Sequence, residues 1–117
     1  MSVSPSYRAF ILEQLGRVIA RIRARPMFGG VGIYAGDVFF ALIASDTLYL
    51  KVDDSSRPDF EARGMEPFRP HDDHGEVMQY YQVPEEVVEE PDVLRQWAEK
   101  AIAVALAKKK GQKSRAR

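Results

Sequence analysis

The chain has 117 residues, of which 45% are apolar and 29% are charged, and its 17 basic side chains balance its 17 acidic ones. This composition is typical of one folded globular domain. There is no cysteine, which excludes disulfides, thiolate metal sites and cysteine nucleophiles. The sequence has neither a signal peptide nor an apolar run of the roughly 18 residues that a membrane helix needs, so we expect a cytoplasmic protein without a membrane partner.

The first half of the chain predicts one helix followed by strands. Ser4 is a suitable N-cap before Pro5, and apolar residues then recur at helical spacing to about Ala20. Charged residues alternate with small or apolar ones over residues 21–28, which favours an extended segment. Three strand-like runs follow, joined by turns so short that neighbouring strands must be antiparallel. These runs are residues 31–34, 38–44 and 48–52.

A short helix and two more extended pieces are predicted next. Ser56 and Asp59 resemble a capping box, so we expect a helix that starts there and stops at Gly64. Extended pieces at residues 66–68 and 76–83 complete the predicted sheet, the first as an edge because proline cannot donate a ladder hydrogen bond.

The last part of the chain is predicted to be helical. Residues 84–90 contain one helical turn, and a long helix starts at Pro91 and ends among Lys108, Lys109 and Lys110. Because the strands follow one another and the helices stand apart, we predict an α+β protein. The expected architecture is a two-layer α/β sandwich with an antiparallel sheet and the element order α-β(3)-α-β(2)-α. One core should bury Phe28, Phe39 or Phe40, Leu42, Leu50, Tyr81, Leu94, Trp97 and Ala101.

The charges are unevenly distributed along the chain. Residues 1–25 have a net charge of +4, residues 26–107 a net charge of −10, and residues 108–117 a net charge of +6. We expect a folded domain over residues 1–107 and a solvated, disordered basic tail over residues 108–117. The alternative is that the basic ends bind nucleic acid or an acidic partner.

Two motifs are weighed as ligand sites. The glycines around Gly30 precede a strand rather than a helix, so we interpret them as backbone turning and close packing rather than a phosphate cradle. The loop from His71 to His74 has two imidazoles and two carboxylates, a set that can bind a borderline metal ion. We expect no metal there, because a single flexible loop does not make a rigid site.

Carboxylates and aromatic residues suggest two further sites. The acidic residues from Glu85 to Asp92 lack the buried surroundings of catalytic carboxyls, so we expect a solvated face. The aromatic residues Phe39, Tyr49, Tyr80 and Tyr81 would suit a platform on which bases stack, although aromatic residues on strands more often belong to a core.

Several motifs resemble one known family. The segment from Arg25 to Tyr34, RPMFGGVGIY, is similar to the signature of the TfoX/Sxy N-terminal domain family. Similar motifs continue to the last helix, so the resemblance covers roughly residues 7–107. The residues that carry it, called the signature residues below, are Arg25, Met27, Phe28, Gly29, Gly30, Gly32, Tyr34, Tyr49, Lys51, Tyr81 and Pro84.

The resemblance implies a fold and a biological role. The implied fold is the same α-β(3)-α-β(2)-α sandwich, similar to the type III secretion chaperones. The implied role is the regulation of natural competence (DNA uptake) genes in bacteria, with no catalytic residues and no cofactor. Full-length competence regulators have a second, helical C-terminal domain, and we expect this chain to be the N-terminal domain alone.

Three functional interpretations follow. The first is a non-enzymatic regulatory or adaptor domain that binds an unidentified protein. The second is a nucleic-acid-associated protein whose binding is weak, salt-sensitive and independent of sequence, because only phosphates are contacted. Its candidate contacts are Arg17, Arg21, Arg23, Arg25, Lys108, Lys109, Lys110, Lys113, Arg115 and Arg117. The third is a metal-binding protein or enzyme that uses the His71–His74 loop.

Overall fold

The computed structural model describes residues 3–27, 29–69 and 79–115, with side chains described as far as Lys108. Within these ranges the chain forms one antiparallel sheet of five strands in the order β1-β2-β3-β4-β5 and four helices. The strands are β1 (Ile22–Met27), β2 (Gly30–Ala35), β3 (Val38–Ala44), β4 (Thr47–Lys51) and β5 (Tyr80–Gln82). The helices are α1 (Pro5–Val18), α2 (Arg57–Glu61), α3 (Glu85–Val88) and α4 (Pro91–Arg115).

The start of α1 is as the sequence predicts. The Ser4 hydroxyl accepts a hydrogen bond from the Tyr7 backbone N–H at 3.2 Å, and Pro5 occupies the first helical position. Ile11 and Leu15, four residues apart on one face, are fully buried against the sheet and α4. The helix ends at Val18, two residues before the predicted Ala20.

The α+β class and the antiparallel sheet are confirmed, but the predicted distribution of strands is wrong. Four strands precede α2, because the alternating segment after α1 is a full strand that pairs with β2 from Ile22↔Ala35 to Met27↔Gly30. After α2 the described residues form only the short strand β5, joined at its edge by an isolated bridge between Pro67 and Tyr81. Proline lacks the N–H that would extend this pairing into a strand.

A β-bulge in β3 decides which side chains face the helices. The pairing of β2 with β3 shifts between Ile33↔Ala41 and Tyr34↔Phe39, which leaves Phe40 as an extra residue. Phe40 and Ala41 are consecutive, yet both are fully buried in the cluster that the helices share with the sheet. Beyond the bulge the side chains alternate, so Leu42 points to the opposite face.

The main core lies between the helices and one face of the sheet. Of the residues predicted to share it, Phe40, Leu50, Tyr81, Leu94 and Ala101 do so. The prediction was wrong for Leu42, which is buried in a smaller cluster on the other face of the sheet. Trp97 is only partly buried and packs edge-on against Phe60 at 4.7 Å between ring centroids. Phe28 lies outside the described residues.

The predicted capping box of α2 does not form. Ser56 is in the helical region and makes no side-chain cap; its hydroxyl instead accepts a hydrogen bond from the Asp53 backbone N–H at 3.0 Å. The Asp53 carboxylate accepts hydrogen bonds from Ser55 and Ser56, which lower the pKa of Asp53. The turn before α2 is therefore closed by Asp53, an Asx-type turn, rather than by Ser56 and Asp59.

The predicted end of α4 is also wrong. We expected the helix to end among Lys108, Lys109 and Lys110, but it continues to Arg115. Lysine, glutamine and arginine are good helix formers, and a single glycine costs about 1 kcal/mol, so this segment has no strong stop signal. The division into a domain over residues 1–107 and a tail over residues 108–117 stays a prediction.

We predict that the contact of α4 with the sheet depends on Leu94. Leu94 is fully buried, whereas Leu106 on the same helix is 38% exposed. Leu94→Ala should lower the free energy of unfolding by about 2–5 kcal/mol, because it leaves a cavity in the core. The control Leu106→Ala should change it by no more than about 0.5 kcal/mol. Urea unfolding monitored by Trp97 fluorescence measures both, and equal effects would contradict this packing.

Candidate functional site

One face of the sheet has a buried cluster to which no described helix contributes. This cluster consists of Leu42, Ala44, Phe68 and Tyr80, packed with Phe39 and Tyr49. We call this side the outer sheet face. Its strand residues are Arg23, Arg25, Met27, Gly30, Gly32, Tyr34, Phe39, Leu42, Ala44, Thr47, Tyr49, Lys51, Tyr80 and Gln82. These strand positions include three cations and no carboxylate.

A row of contacts crosses the outer sheet face with one residue from each strand. The guanidinium carbon of Arg23 lies 5.8 Å from the ring centroid of Tyr34, and that ring stacks on Phe39 at 5.2 Å between centroids. Phe39 contacts Tyr80 at 5.5 Å, and the Lys51 ammonium lies 4.9 Å from the centroid of Tyr80. We call these five residues the cross-strand row. It combines three rings with a cation at each side.

Two lysines and one carboxylate lie at the Lys51 end of the row. Burial lowers the pKa of Lys51, and the positive charge of Lys108 lowers it further. A cavity of about 260 Å³ opens here, lined by Asp37, Val38, Phe39, Lys51, Tyr80, Ala105 and Lys108. The row therefore connects the arginines of the N-terminal basic segment with the first lysine of the C-terminal one.

The glycines of β2 allow neighbouring strands and side chains to approach closely, because they have no side chain. A side chain at Gly30 would collide with the backbone carbonyl oxygen of Ile43 on β3. At Gly32 a Cβ would come within 2.9 Å of the Met27 sulfur and within 3.2 Å of the Phe39 ring. The close-packing role that the sequence predicted for this glycine cluster is confirmed at both positions, and Gly29 turns the chain with φ = 78°.

A second candidate site lies on the helical side, where α1, α3 and β4 meet. Here a cavity of about 410 Å³ has an apolar floor and a rim of carboxylates; we call it the acidic cavity. Its lining residues are Tyr7, Phe10, Asp46, Thr47, Leu48, Met65, Gln82, Val83, Pro84, Glu85, Glu86, Val88 and Glu89. Among these described residues there are four carboxylates and neither lysine nor arginine.

The wall of the acidic cavity includes exposed aromatic surface. Phe10 is 40% exposed, more than any other large apolar side chain that the structure describes, and lies 6.4 Å from the ring of Tyr7. Burial raises the pKa of Tyr7, and the nearby carboxylates of Asp46 and Glu85 act in the same direction. Asp46 is held in place because it accepts a hydrogen bond from the Ser4 backbone N–H at 2.7 Å.

Comparison with known protein families identifies the chain. A family model described as the TfoX N-terminal domain matches residues 13–105. The chain belongs to the TfoX N-terminal domain family. No curated protein matches it. The matched range contains all five strands, so the outer sheet face lies within the TfoX N-terminal domain, whereas Tyr7 and Phe10 of the acidic cavity precede the match.

Most of the signature residues meet on the outer sheet face of this TfoX N-terminal domain. Tyr81 instead faces the helices and donates a hydrogen bond to Glu61 at 3.1 Å, and Pro84 is buried before α3. Phe28 lies outside the described residues. The signature residues on the outer sheet face are Arg25, Met27, Gly30, Gly32, Tyr34, Tyr49 and Lys51.

The candidate phosphate contacts do not form one patch. Arg17 is on α1, where it pairs with Glu13 at 3.2 Å, and Arg21 is exposed in the turn after α1 with φ = 63°. Arg23 and Arg25 are on the outer sheet face. Lys108 lines the cavity at the end of the cross-strand row. The side chains of Lys109, Lys110, Lys113, Arg115 and Arg117 lie outside the described part of the chain.

The four aromatic residues weighed as a stacking platform do not all lie on one face of the sheet. Phe39, Tyr49 and Tyr80 share the outer sheet face, but Tyr81 points the other way because adjacent residues of a strand alternate. Tyr80 and Tyr81 are both buried, which agrees with the alternative that they belong to a core, and Tyr34, which the sequence analysis did not include, contacts Phe39 on the outer sheet face.

The described residues form neither a metal-binding group nor a membrane-spanning helix. Their His, Asp and Glu side chains form no group of three that could hold a metal ion, and the His71–His74 loop lies outside them. No helix in the described ranges is both long and apolar enough to cross a membrane.

We predict that the two glycine environments respond oppositely to alanine. Gly30→Ala should lower the free energy of unfolding by about 1–3 kcal/mol, because its methyl group collides with β3. Gly16→Ala should raise it by about 0.5–1 kcal/mol, since nothing lies within 4 Å of the new methyl group and alanine favours a helix. Thermal and urea unfolding measure both changes. A stabilising Gly30→Ala would disprove the close approach of β2 and β3.

A pH dependence follows from Tyr80. Burial raises the pKa of Tyr80 far above its ordinary value, so the folded protein keeps this proton when the unfolded chain, with a phenol pKa of about 10, loses it. Stability should fall as the pH rises above about 10, by up to about 1.4 kcal/mol per pH unit for such a group. Tyr80→Phe should therefore reduce this slope, measured by urea unfolding between pH 9 and 11. Equal slopes in both proteins would contradict a buried, protonated Tyr80.

Proposed function

We propose that this TfoX N-terminal domain is a regulatory or adaptor domain that acts by binding another protein, without catalysis. The observation that carries the proposal is the acidic cavity, a concave apolar surface with an exposed phenylalanine and a rim of carboxylates. We further propose that it acts in the bacterial cytoplasm in the regulation of competence genes, the role that the resemblance to its family implies.

The shape and composition of the acidic cavity suit a protein segment. Exposed apolar side chains beside a concavity are typical of interaction sites, because a partner's apolar side chain can replace the water there. Phe10 and Met65 provide such apolar contacts, and the neighbouring backbone of α3 leaves Glu85, Glu86 and Glu89 at the rim.

The negative charge of the acidic cavity determines which kind of partner can bind there. Four carboxylates without an arginine or lysine among the described lining residues attract a cationic group and repel an anionic one. We infer that the partner presents an apolar side chain next to lysine or arginine. A nucleic acid does not meet this requirement, since its backbone is anionic.

The same carboxylates support binding rather than catalysis. Asp46, Glu85, Glu86 and Glu89 are all solvent-exposed. A catalytic acid or base acts with a pKa that burial or a close like charge has shifted. Exposed carboxylates at the mouth of an apolar cavity are instead suited to charge recognition.

A pair of variants tests this proposal. The tagged full chain is used to capture proteins from a bacterial lysate with and without nuclease treatment, and captured proteins are identified by mass spectrometry. Phe10→Ala should abolish capture of the specific partner, because it removes the exposed ring at the cavity. Leu106→Ala is the matched control, since Leu106 is 38% exposed against 40% for Phe10 but does not line the cavity.

The results separate the alternatives. Loss of the partner with Phe10→Ala and its retention with Leu106→Ala, together with weaker capture at high salt, would support a protein ligand with a basic segment. Capture that disappears on nuclease treatment, or that neither variant changes, would contradict the proposal.

A further inference from the structure

We propose that the outer sheet face binds single-stranded nucleic acid, with bases stacked on the partly exposed rings of Tyr34, Phe39 and Tyr49 and phosphates held by the cations around them. This site shares no ring or cation with the acidic cavity, although Thr47 and Gln82 of the outer sheet face also line that cavity. The inference therefore goes beyond the proposed protein binding and does not depend on it.

Partly exposed rings provide the stacking surface. Tyr34 and Phe39 are both partly exposed and stack on each other with planes 27° apart, whereas Tyr80 of the row is buried beside them. Tyr49, also partly exposed, extends the aromatic surface along β4 toward Phe68, at 5.1 Å between centroids. Every base has a π-face, so stacking on such rings binds a strand with little dependence on its sequence.

Cations are placed where a strand lying on these rings would carry its phosphates. Arg23 and Arg25 are both exposed on β1, at one edge of the sheet. Lys51 and Lys108 flank the cavity at the other end of the row, and their mutual repulsion is relieved when an anion lies between them. Asp37 also lines this cavity, so the cationic excess there is two to one.

The charges of the described surfaces direct a polyanion to the outer sheet face. Four carboxylates surround the acidic cavity, with no lysine or arginine among its described lining residues. In contrast, the strand positions of the outer sheet face have three cations and no carboxylate, and the acidic side chains next to them are Glu66 near Tyr49 and Asp37 in the cavity at Lys51. A strand of phosphates is repelled by the first surface and attracted by the second.

The ring surface favours a single strand over a duplex. In a duplex the bases are stacked on each other, and their faces are not accessible to a protein ring unless the helix is opened. The cross-strand row is part of a sheet surface, with no described helix that would enter a groove. The ligand class is therefore unpaired DNA or RNA, and the two are distinguished by experiment.

The test is fluorescence anisotropy with the full chain and four labelled probes. These are a twelve-nucleotide oligo(dT), the matching oligo(rU), a twelve-base-pair duplex, and an abasic deoxyribose-phosphate strand of the same length. We expect the oligo(dT) or oligo(rU) to bind at least about tenfold more tightly than the abasic strand, because only the former can stack. The stronger of the two identifies DNA or RNA as the ligand.

Matched variants locate the site. Arg25→Gln should weaken oligonucleotide binding about three- to tenfold and reduce the slope of log affinity against log salt by about 0.7, the value for one phosphate contact on a single strand. Arg17→Gln removes the same charge from α1 and should have no comparable effect. Tyr34→Leu should weaken binding at least about fivefold, whereas Phe10→Leu on the opposite side should not.

Thermal unfolding of each variant, monitored by Trp97 fluorescence, shows that it is folded, so a loss of binding can be assigned to the surface. Equal affinity for the abasic strand or the duplex would overturn the stacking proposal. So would equal effects of Arg25→Gln and Arg17→Gln. If no probe binds at low salt, the proposal is wrong and the outer sheet face is left to a protein partner.

Discussion

The described helices cover one face of the sheet, and the rest of the structure depends on this constraint. All the buried helical residues of the main core pack on the inner face, where the bulge at Phe40 adds a second consecutive side chain to the core. On the outer sheet face, aromatic rings from neighbouring strands pack against each other. Two cations lie beside these rings. Arg23, from the N-terminal basic segment, lies over Tyr34, and Lys108, from the C-terminal one, lines the cavity next to Phe39 and Tyr80. The acidic cavity thus lies on the helical side of the sheet, and the cations Arg23, Arg25 and Lys51 lie on the outer sheet face.

Much of the fold follows from local signals in the sequence. The Ser4 cap, the short turns and the alternation of residues 21–28 predict elements that the structure contains. The number of strands before α2 was not predicted correctly, because an alternating segment becomes a strand only when a neighbouring strand pairs with it. Leu42 was assigned to the wrong face because β3 is apolar throughout and offers no alternation to interpret. The bulge at Phe40 also changes which residues face the core, and no local sequence signal marks it.

The sequence identifies many residues of the candidate sites, but it does not show which of them lie together on one surface. The sequence identifies the basic segment and the aromatic residues Phe39 and Tyr80, yet only the strand order brings Arg23 and Lys51 to one face. The acidic cavity was missed, since the carboxylates after Pro84 were expected to form a solvated face. The apolar floor comes in part from α1, at the far end of the sequence, so it cannot be inferred from the acidic segment itself.

The central claim is that the outer sheet face, and not the helical side, is the surface that an anionic strand contacts. Photo-crosslinking of an oligo(rU) that contains 4-thiouridine to the full chain, followed by peptide mapping, tests it most directly. The account predicts crosslinks in β1, β2 and β3, at residues of the cross-strand row such as Tyr34 and Phe39. Crosslinks confined to α1 and α3, around the acidic cavity, would contradict the account.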